Sequence, residues 1–294
     1  MIEKELILTE ILKCRRSDLY MYGMMLNSQQ KDQYDEIIKR RNAGEPLQYL
    51  LGNCEFMGLR FKVDHRALIP RPETEILVEK VLGCIKASLS GNNRALHILD
   101  IGTGSGNIPV SLAKHLPESL VVAIDVSKDA LALAHENATD HKVSEQIHFF
   151  EADIFKWLQR QAKTLPKFDW IISNPPYIPT AQLKFLPKDV LKEPKIAFNG
   201  GKDGLKFYRF IIEHSRDVLK DSGCLIFEIG DGQGQGIEKI FEEFPDFSHI
   251  QFFKDHAGTD RIVLAKLLHS FDHRKPVNVK TKKIPNQKSS QMTG

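Results

Sequence analysis

From Ala95 onward the chain repeats one pattern, and that pattern restricts the fold more than any other feature. Short apolar runs rich in β-branched and aromatic residues read as strands: "ALHILDI", "LVVAIDV", "QIHFFEA", "FDWIIS", "GCLIFEI", "HIQFFKD" and "RIVLAKL". Stretches of helical periodicity separate the first six. A strand–helix–strand unit returns the chain to the edge it started from, so strands joined in this way run parallel. The last two runs are joined only by "HAGTD", too short for a crossover helix, and should form an antiparallel hairpin. The expected architecture is α/β: a doubly wound, Rossmann-like sheet of seven strands, mostly parallel and ending in one reversed strand.

The residues before this repeat have a different character. Ile7, Leu8, Ile11 and Leu12 recur at helical spacing, and Leu19, Met24 and Met25 do so less regularly. Breaks fall at Gly23, at Asn27-Ser28 and at "NAGEP" (Asn42 to Pro46). "FMGLRFKV" alternates around Gly58 as a β-hairpin would, and "LIPRPETEILVEKVL" starts a helix near Pro72 that Gly91-Asn92-Asn93 should close. From about Phe271 the chain is basic and polar with little to bury, which predicts a disordered tail. The expected division is a small helical domain with a hairpin linker over 1–70, the sheet domain over 71–270 and the tail over 271–294.

Composition excludes some functions. Lys plus Arg (41) nearly balances Asp plus Glu (38), a net charge of +3, which argues against a dedicated nucleic-acid binder. Cys14, Cys54, Cys84 and Cys224 lie far apart without metal-ligand spacing and read as reduced thiols of a cytoplasmic protein. His135 and His141 read as surface histidines, and no metal site is expected. The opening "MIEKELILTEILKCRR" mixes charge into its apolar residues as an amphipathic helix does and a signal peptide does not. No run approaches the ~20 apolar residues that span a membrane.

The turn after the first strand of the repeat, "ILDIGTGSGNIPVSL", carries Asp100, Gly102, Thr103, Gly104, Ser105 and Gly106 into a helix. Such a loop brings backbone amides and the positive helix end close to a ligand. A dinucleotide fingerprint would need glycine where Asn107 stands. The acidic-x-G-x-G-x-G spacing suits a ligand without pyrophosphate, such as S-adenosylmethionine, whose carboxylate can sit at the helix end. Asp125 lies 125 − 106 = 19 residues past the last loop glycine, at the end of the next strand, where a carboxylate can accept from ribose hydroxyls. Asp153 after the third strand is placed for a similar contact. A second glycine run, "EIGDGQGQG", follows a later strand without a matching acid and reads as a turn lining the wall of the site.

The fourth strand ends in "SNPPYIP". Pro175 and Pro176 lack amide hydrogens and disfavour helix in the preceding residue, so Asn174 is held in stiff extended backbone at the sheet edge. The Asn174 side-chain oxygen and the Pro175 carbonyl can each accept one hydrogen of a planar, conjugated NH2 group, while Tyr177 offers a flat face for stacking. In a doubly wound sheet the first and fourth strands flank the switch point where ligands bind, which brings this clamp to the cofactor's methyl.

"SNPPYI" and "DIGTGSG" together resemble the amino-group methyltransferases that use S-adenosylmethionine. With "EPLQYLLG", "LIPRPETE", "EPKIAFNGGKDGLKFYR", "EIGDGQ" and "GTDRIV", residues 1 to about 268 resemble the bacterial release factor glutamine methyltransferases. The resemblance implies methyl transfer to the side-chain amide nitrogen (N5) of the glutamine in the Gly-Gly-Gln loop of peptide chain release factors, with S-adenosyl-L-homocysteine as product. It implies that residues 1–70 dock the release factor and that Arg71 helps to close the site. It places the cofactor on Gly102 to Gly106, Asp125, Asp153, Ile154 and Asn174, and the glutamine on Asn174, Pro175, Pro176 and Tyr177. The pattern departs from the family at His256, Phe198 and Asn199, all outside the clamp. Three other readings share parts of the pattern: a ribosomal-protein glutamine methyltransferase, a DNA adenine or cytosine methyltransferase, and a non-catalytic cofactor-binding scaffold. The DNA enzyme would need a base-reading region and a basic cleft, and the scaffold need not keep Asn174 or the loop glycines.

Overall fold

The computed structural model describes residues 3–23, 25–88, 95–161 and 166–268. The expected tail and the helix-closing Gly91-Asn92-Asn93 lie outside the described residues. The amino-terminal part contains α1 (Glu3–Leu12), α2 (Arg16–Tyr22), α3 (Ser28–Asn42) and α4 (Leu47–Leu51). The breaks read from the sequence are its caps. Gly23 ends α2 in the left-handed region at φ 53. Asn27 and Gln30 exchange side-chain and backbone bonds at the start of α3, in a capping box that satisfies two otherwise orphaned amides.

Strands β1 (Asn53–Phe56) and β2 (Leu59–Lys62) form the hairpin expected around Gly58. Met57 and Gly58 both have positive φ (52° and 69°), the signature of a tight turn that matches strand twist. This hairpin is more than a linker. Phe56 and Phe61 are buried to 1% and 0% exposure and share a core with Leu77 and Val81 of α5 (Pro72–Ser88) and Ile98 of β3 (His97–Ile101). The core therefore does not divide at residue 70.

The remaining elements follow the predicted alternation: α6 (Asn107–His115), β4 (Leu120–Asp125), α7 (Lys128–Asp140), β5 (Ile147–Glu151), α8 (Ile154–Gln161), β6 (Phe168–Ser173), α9 (Lys206–Ser215), β7 (Leu219–Glu228), α10 (Gly234–Glu242), β8 (Phe247–Lys254) and β9 (Asp260–Leu267). The seven-stranded sheet has the order β5-β4-β3-β6-β7-β9-β8. Strands β3 to β7 pair in parallel, and β9 is antiparallel to both β7 and β8. The reversed strand thus slots between two others, leaving β8 at the edge. Alternate residues feed two cores. Ile98, Ile172 and Ile226 join residues of α5 and α6 on one face, and Leu99, Ile171 and Leu225 join residues of α8, α9 and α10 on the other. Between β6 and α9 the chain makes three short 3-10 helices, Thr180–Phe185, Val190–Lys192 and Lys195–Ala197, which form a lip beside the carboxyl ends of the strands. Among the described residues no helix is long and apolar enough to cross a membrane.

Candidate active site

The chain order reverses between β3 and β6, adjacent parallel strands whose carboxyl ends carry the two motifs. At the last pair of their register, Ser173 Oγ donates to the Ile101 carbonyl at 2.7 Å and pins the two strand ends together. The glycine loop leaves β3 with Gly102, Gly104 and Gly106 at φ 77°, 55° and 80°. A side chain at Gly106 would strike Ala134 of α7 at 2.9 Å, so this turn needs glycine for conformation and for clearance. The amides of Gly102 and Thr103 donate to the Ile124 carbonyl at 2.9 and 3.0 Å, which fastens the loop to β4. Asn137 binds it to the hairpin as well, donating to the carbonyls of Ser105 and Lys62 and accepting from the Lys62 amide.

Asp125 stands at the end of β4 as expected. Its Oδ2 accepts from Gly104 N and its Oδ1 from Ser127 N, each at 2.9 Å. Each oxygen retains a further lone pair. Burial pushes the Asp125 carboxyl upward against those backbone bonds. Asp153 accepts from Phe155 N at 3.1 Å at the start of α8, and Ile154 beside it is buried.

Asp100, read from the sequence only as part of the loop pattern, is the most unusual group. It is fully buried, and its oxygens form no hydrogen bond of good geometry among the described residues; the buried Thr103 hydroxyl beside it, equally without one, is near enough to favour the carboxylate only weakly. Burial lifts its carboxyl to about 7, opposed by the Thr103 hydroxyl and helped by the charge of Asp125. A buried acid with two empty acceptors is suited to a ligand that brings positive charge or donors.

The Asn174 side chain is half-buried. Its Nδ2 donates to Thr74 Oγ1 at 3.1 Å, and Thr74 Oγ1 donates to Glu228 Oε2 at 2.5 Å. Tyr177 OH donates to Glu228 Oε1 at 3.4 Å. Burial raises the Glu228 carboxyl to about 7, opposed by the bond from Thr74, and raises the Tyr177 hydroxyl well above its ordinary value. The Tyr177 backbone is braced by Gln233, which donates to its carbonyl at 2.9 Å and accepts from Gly230 N at 2.9 Å. The second glycine run thus supports the clamp from behind. A side chain at Gly204 would meet the Tyr177 carbonyl at 2.3 Å, which explains one glycine of "NGGKDG". Thr74 lies in "LIPRPETE" and Glu228 and Gln233 in "EIGDGQ", stretches that carry the family resemblance, but local sequence does not show these roles because their partners come from other elements.

Arg71 is drawn into the lip. Its guanidinium meets Glu193 Oε1 at 2.5 Å, and Glu193 Oε2 accepts from Ile69 N at 3.0 Å. Glu193 is only 4% exposed. A second tie, Arg41 to Asp189 at 3.2 Å, joins α3 to the same lip. His135 is exposed, whereas His141 is half-buried and bonds through Nε2 to the Arg60 carbonyl at 2.8 Å, so it fastens α7 to the hairpin.

Comparison with known proteins agrees with this geometry. Residues 92–252, more than half of the chain, match the methyltransferase domain family, and residues 2–52 match the PrmC N-terminal domain. The release factor glutamine methyltransferase of Moorella thermoacetica is 42% identical over 230 residues, 78% of each chain. The chain belongs to the release factor glutamine methyltransferase family. The enzyme of that name from Thermodesulfovibrio yellowstonii is 38% identical over 89% of this chain and 91% of its own. That from Geobacter sulfurreducens is 40% identical over 89% and 88%. Among solved structures, the hMettl16 catalytic domain in complex with the MAT2A 3'UTR hairpin 1 superposes with a TM-score of 0.55 at 18% identity, over 74% of this chain and 77% of that one. At that identity the likeness speaks for the methyltransferase fold.

Proposed function

We propose that the protein transfers a methyl group from S-adenosylmethionine to the N5 amide nitrogen of the glutamine in the Gly-Gly-Gln motif of peptide chain release factors, in the cytoplasm. The observation that carries this reading is the state of Asn174. Its Nδ2 is committed to Thr74, and among the described residues nothing donates to its Oδ1, which is left to accept from a substrate NH2.

A glutamine amide is a weak nucleophile because its nitrogen lone pair is delocalised into the carbonyl. Asn174 Oδ1 and the Pro175 carbonyl take its two hydrogens and fix the nitrogen in line for attack, a positioning effect worth several kcal/mol in favourable cases. Pro176 keeps the clamp extended and Tyr177 stacks on the amide plane. The methylated nitrogen becomes acidic and passes its extra proton to solvent water, so no strong base need touch it.

The cofactor fits the residues present. Its ammonium and sulfonium match the unpartnered Asp100 carboxylate, its carboxylate matches the α6 amino terminus, and its ribose matches Asp125. Gly102 to Gly106, Asp153 and Ile154 complete this part of the site. Bound there, S-adenosylmethionine supplies an electrophilic methyl.

Docking of a protein substrate is assigned to the helices and hairpin of residues 1–70 together with the lip. Tyr20, Met21 and Met25 on one side and Phe185 and Ile196 on the other are 56–87% exposed, unusual for large apolar side chains. A single glutamine offers too little area for specific association, so affinity has to come from such surfaces. The test is to incubate the protein with labelled S-adenosylmethionine and purified release factor and to map the label by mass spectrometry. Label on the Gly-Gly-Gln glutamine is expected. Label only on a ribosomal protein or on DNA would overturn the substrate.

A further inference from the structure

Asparagine presents an oxygen and an NH2 group of nearly the same size and shape. A clamp built on Asn174 works in only one orientation, because a reversed amide would turn two hydrogens toward the hydrogens of the substrate amine. Prolines fix the backbone of Asn174 but leave this choice open. We propose that Thr74 and Glu228 are positioning residues, a one-way hydrogen-bond relay that sets which end of the Asn174 amide faces the reacting nitrogen. The inference rests on the amide-clamp reading given above.

The direction follows from donor counting. An ionised Glu228 can only accept. Thr74 has a single hydroxyl hydrogen and, at 2.5 Å from Glu228 Oε2, is committed to donating it there. Its lone pairs can then only accept, and the donor they meet at 3.1 Å is Asn174 Nδ2. The other end of the amide, Oδ1, is thereby turned away from Thr74. Thr74 and Glu228 are each 2% exposed, so solvent does not replace either bond. Thr74 sits in the first turn of α5, where its amide bonds to the Arg71 carbonyl at 3.0 Å, and Glu228 is the last residue of β7. Two rigid elements therefore hold the relay. The second Glu228 oxygen takes the Tyr177 hydroxyl, so the same carboxylate also restrains the stacking ring.

A buried carboxylate is an expensive way to hold a threonine in place, since a neutral glutamine would fill the same space. Its use is intelligible if an acceptor-only group is required. The charged and titratable groups around it are Glu73, Arg261 and Tyr177, and the Tyr208 hydroxyl donates to its backbone carbonyl rather than to its side chain. Protonated Glu228 could donate to Thr74, freeing the threonine hydrogen for Asn174 Oδ1 and permitting the reversed amide. Burial already lifts this carboxyl to about 7.

The experiment compares Thr74→Val, Thr74→Ser and Glu228→Gln with wild type. It measures kcat and KM for release factor, cofactor affinity by calorimetry, and the side-chain amide resonance of Asn174 in 15N-asparagine-labelled protein. Thr74→Val and Glu228→Gln should lower kcat by roughly 10²-fold, with cofactor affinity and KM within about threefold, and should shift the Asn174 resonance. Thr74→Ser, which keeps the hydroxyl, should stay within about fivefold of wild type. The relay is refuted if Thr74→Val or Glu228→Gln turns over normally, if Thr74→Ser is as poor as Thr74→Val, or if the Asn174 resonance is the same in all four proteins. Failure of the substrate reading would show differently, as wild type that transfers no methyl to release factor. The resonance then still decides the relay.

Discussion

Replacing Asp100 by asparagine should make the cofactor-free protein more stable and the cofactor-bound protein less so. The carboxyl moves from its ordinary 3.8 to about 7 because it is fully buried and no well-formed hydrogen bond or positive charge among the described residues offsets that burial. In the unfolded chain it would lose its proton near 3.8, whereas the folded protein holds that proton until about 7. Folding stability therefore falls as pH rises from about 4 to about 7 and is level above. At roughly 1.4 kcal/mol per pH unit, the penalty at pH 8 is about 4 kcal/mol. A buried asparagine side chain has its own cost, about 2 kcal/mol for imperfectly paired polar atoms. The net gain for Asp100→Asn at pH 8 is then about 2 kcal/mol, or roughly 4–8 °C in Tm for a domain of this size. Near pH 5 the two proteins should be almost equal. Thermal unfolding at pH 5, 6, 7 and 8 without cofactor measures the widening gap. Saturating S-adenosylmethionine should stabilise wild type far more than the variant, because it supplies the positive charge that Asp100 lacks. A constant Tm difference across this pH range would refute the burial argument. Equal stabilisation by the cofactor would remove Asp100 from the binding site.

Four further outcomes are expected. Asn174→Ala should lower turnover by about 10²-fold or more while cofactor affinity measured by calorimetry changes little, since the lost contact matters in the reacting geometry. Asp125→Ala should weaken cofactor binding by roughly tenfold or more, and the apo protein should also melt lower because Gly104 N and Ser127 N lose their acceptors. Deleting residues 1–52 should leave a folded, cofactor-binding protein that fails on intact release factor, whereas deleting 1–70 should give an insoluble one. The second cut removes Phe56 and Phe61 from the core, each worth about 3–5 kcal/mol. With the full-length enzyme, a short Gly-Gly-Gln peptide should be a far poorer substrate than the intact factor in a transfer-rate assay.

Much of this protein is written in local pattern. The seven strand runs, the hairpin across "HAGTD" and the turn at Gly58 follow from alternation, connection length and glycine, each of which acts over a few neighbouring residues. The glycine loop, Asp125 and the stiff Asn174-Pro175-Pro176-Tyr177 segment were legible for the same reason, since the backbone conformation they need is set locally. Position in the sheet was not. That β9 lies between β7 and β8, leaving β8 at the edge, depends on which hydrogen-bonding edges remain free once the other strands have paired. The hairpin reads as a linker because its pattern cannot say what covers its apolar face, and α5 and β3 turn out to cover it. Thr74 meets Glu228 across 154 residues and Asn174 across 100, and neither spacing carries any periodic signal. Asp100 illustrates the division within one residue. Its place in the loop motif is a matter of sequence, but its missing partners follow from what the folded strands pack around it, and burial by distant parts of the chain is what makes an ordinary aspartate reactive to a ligand.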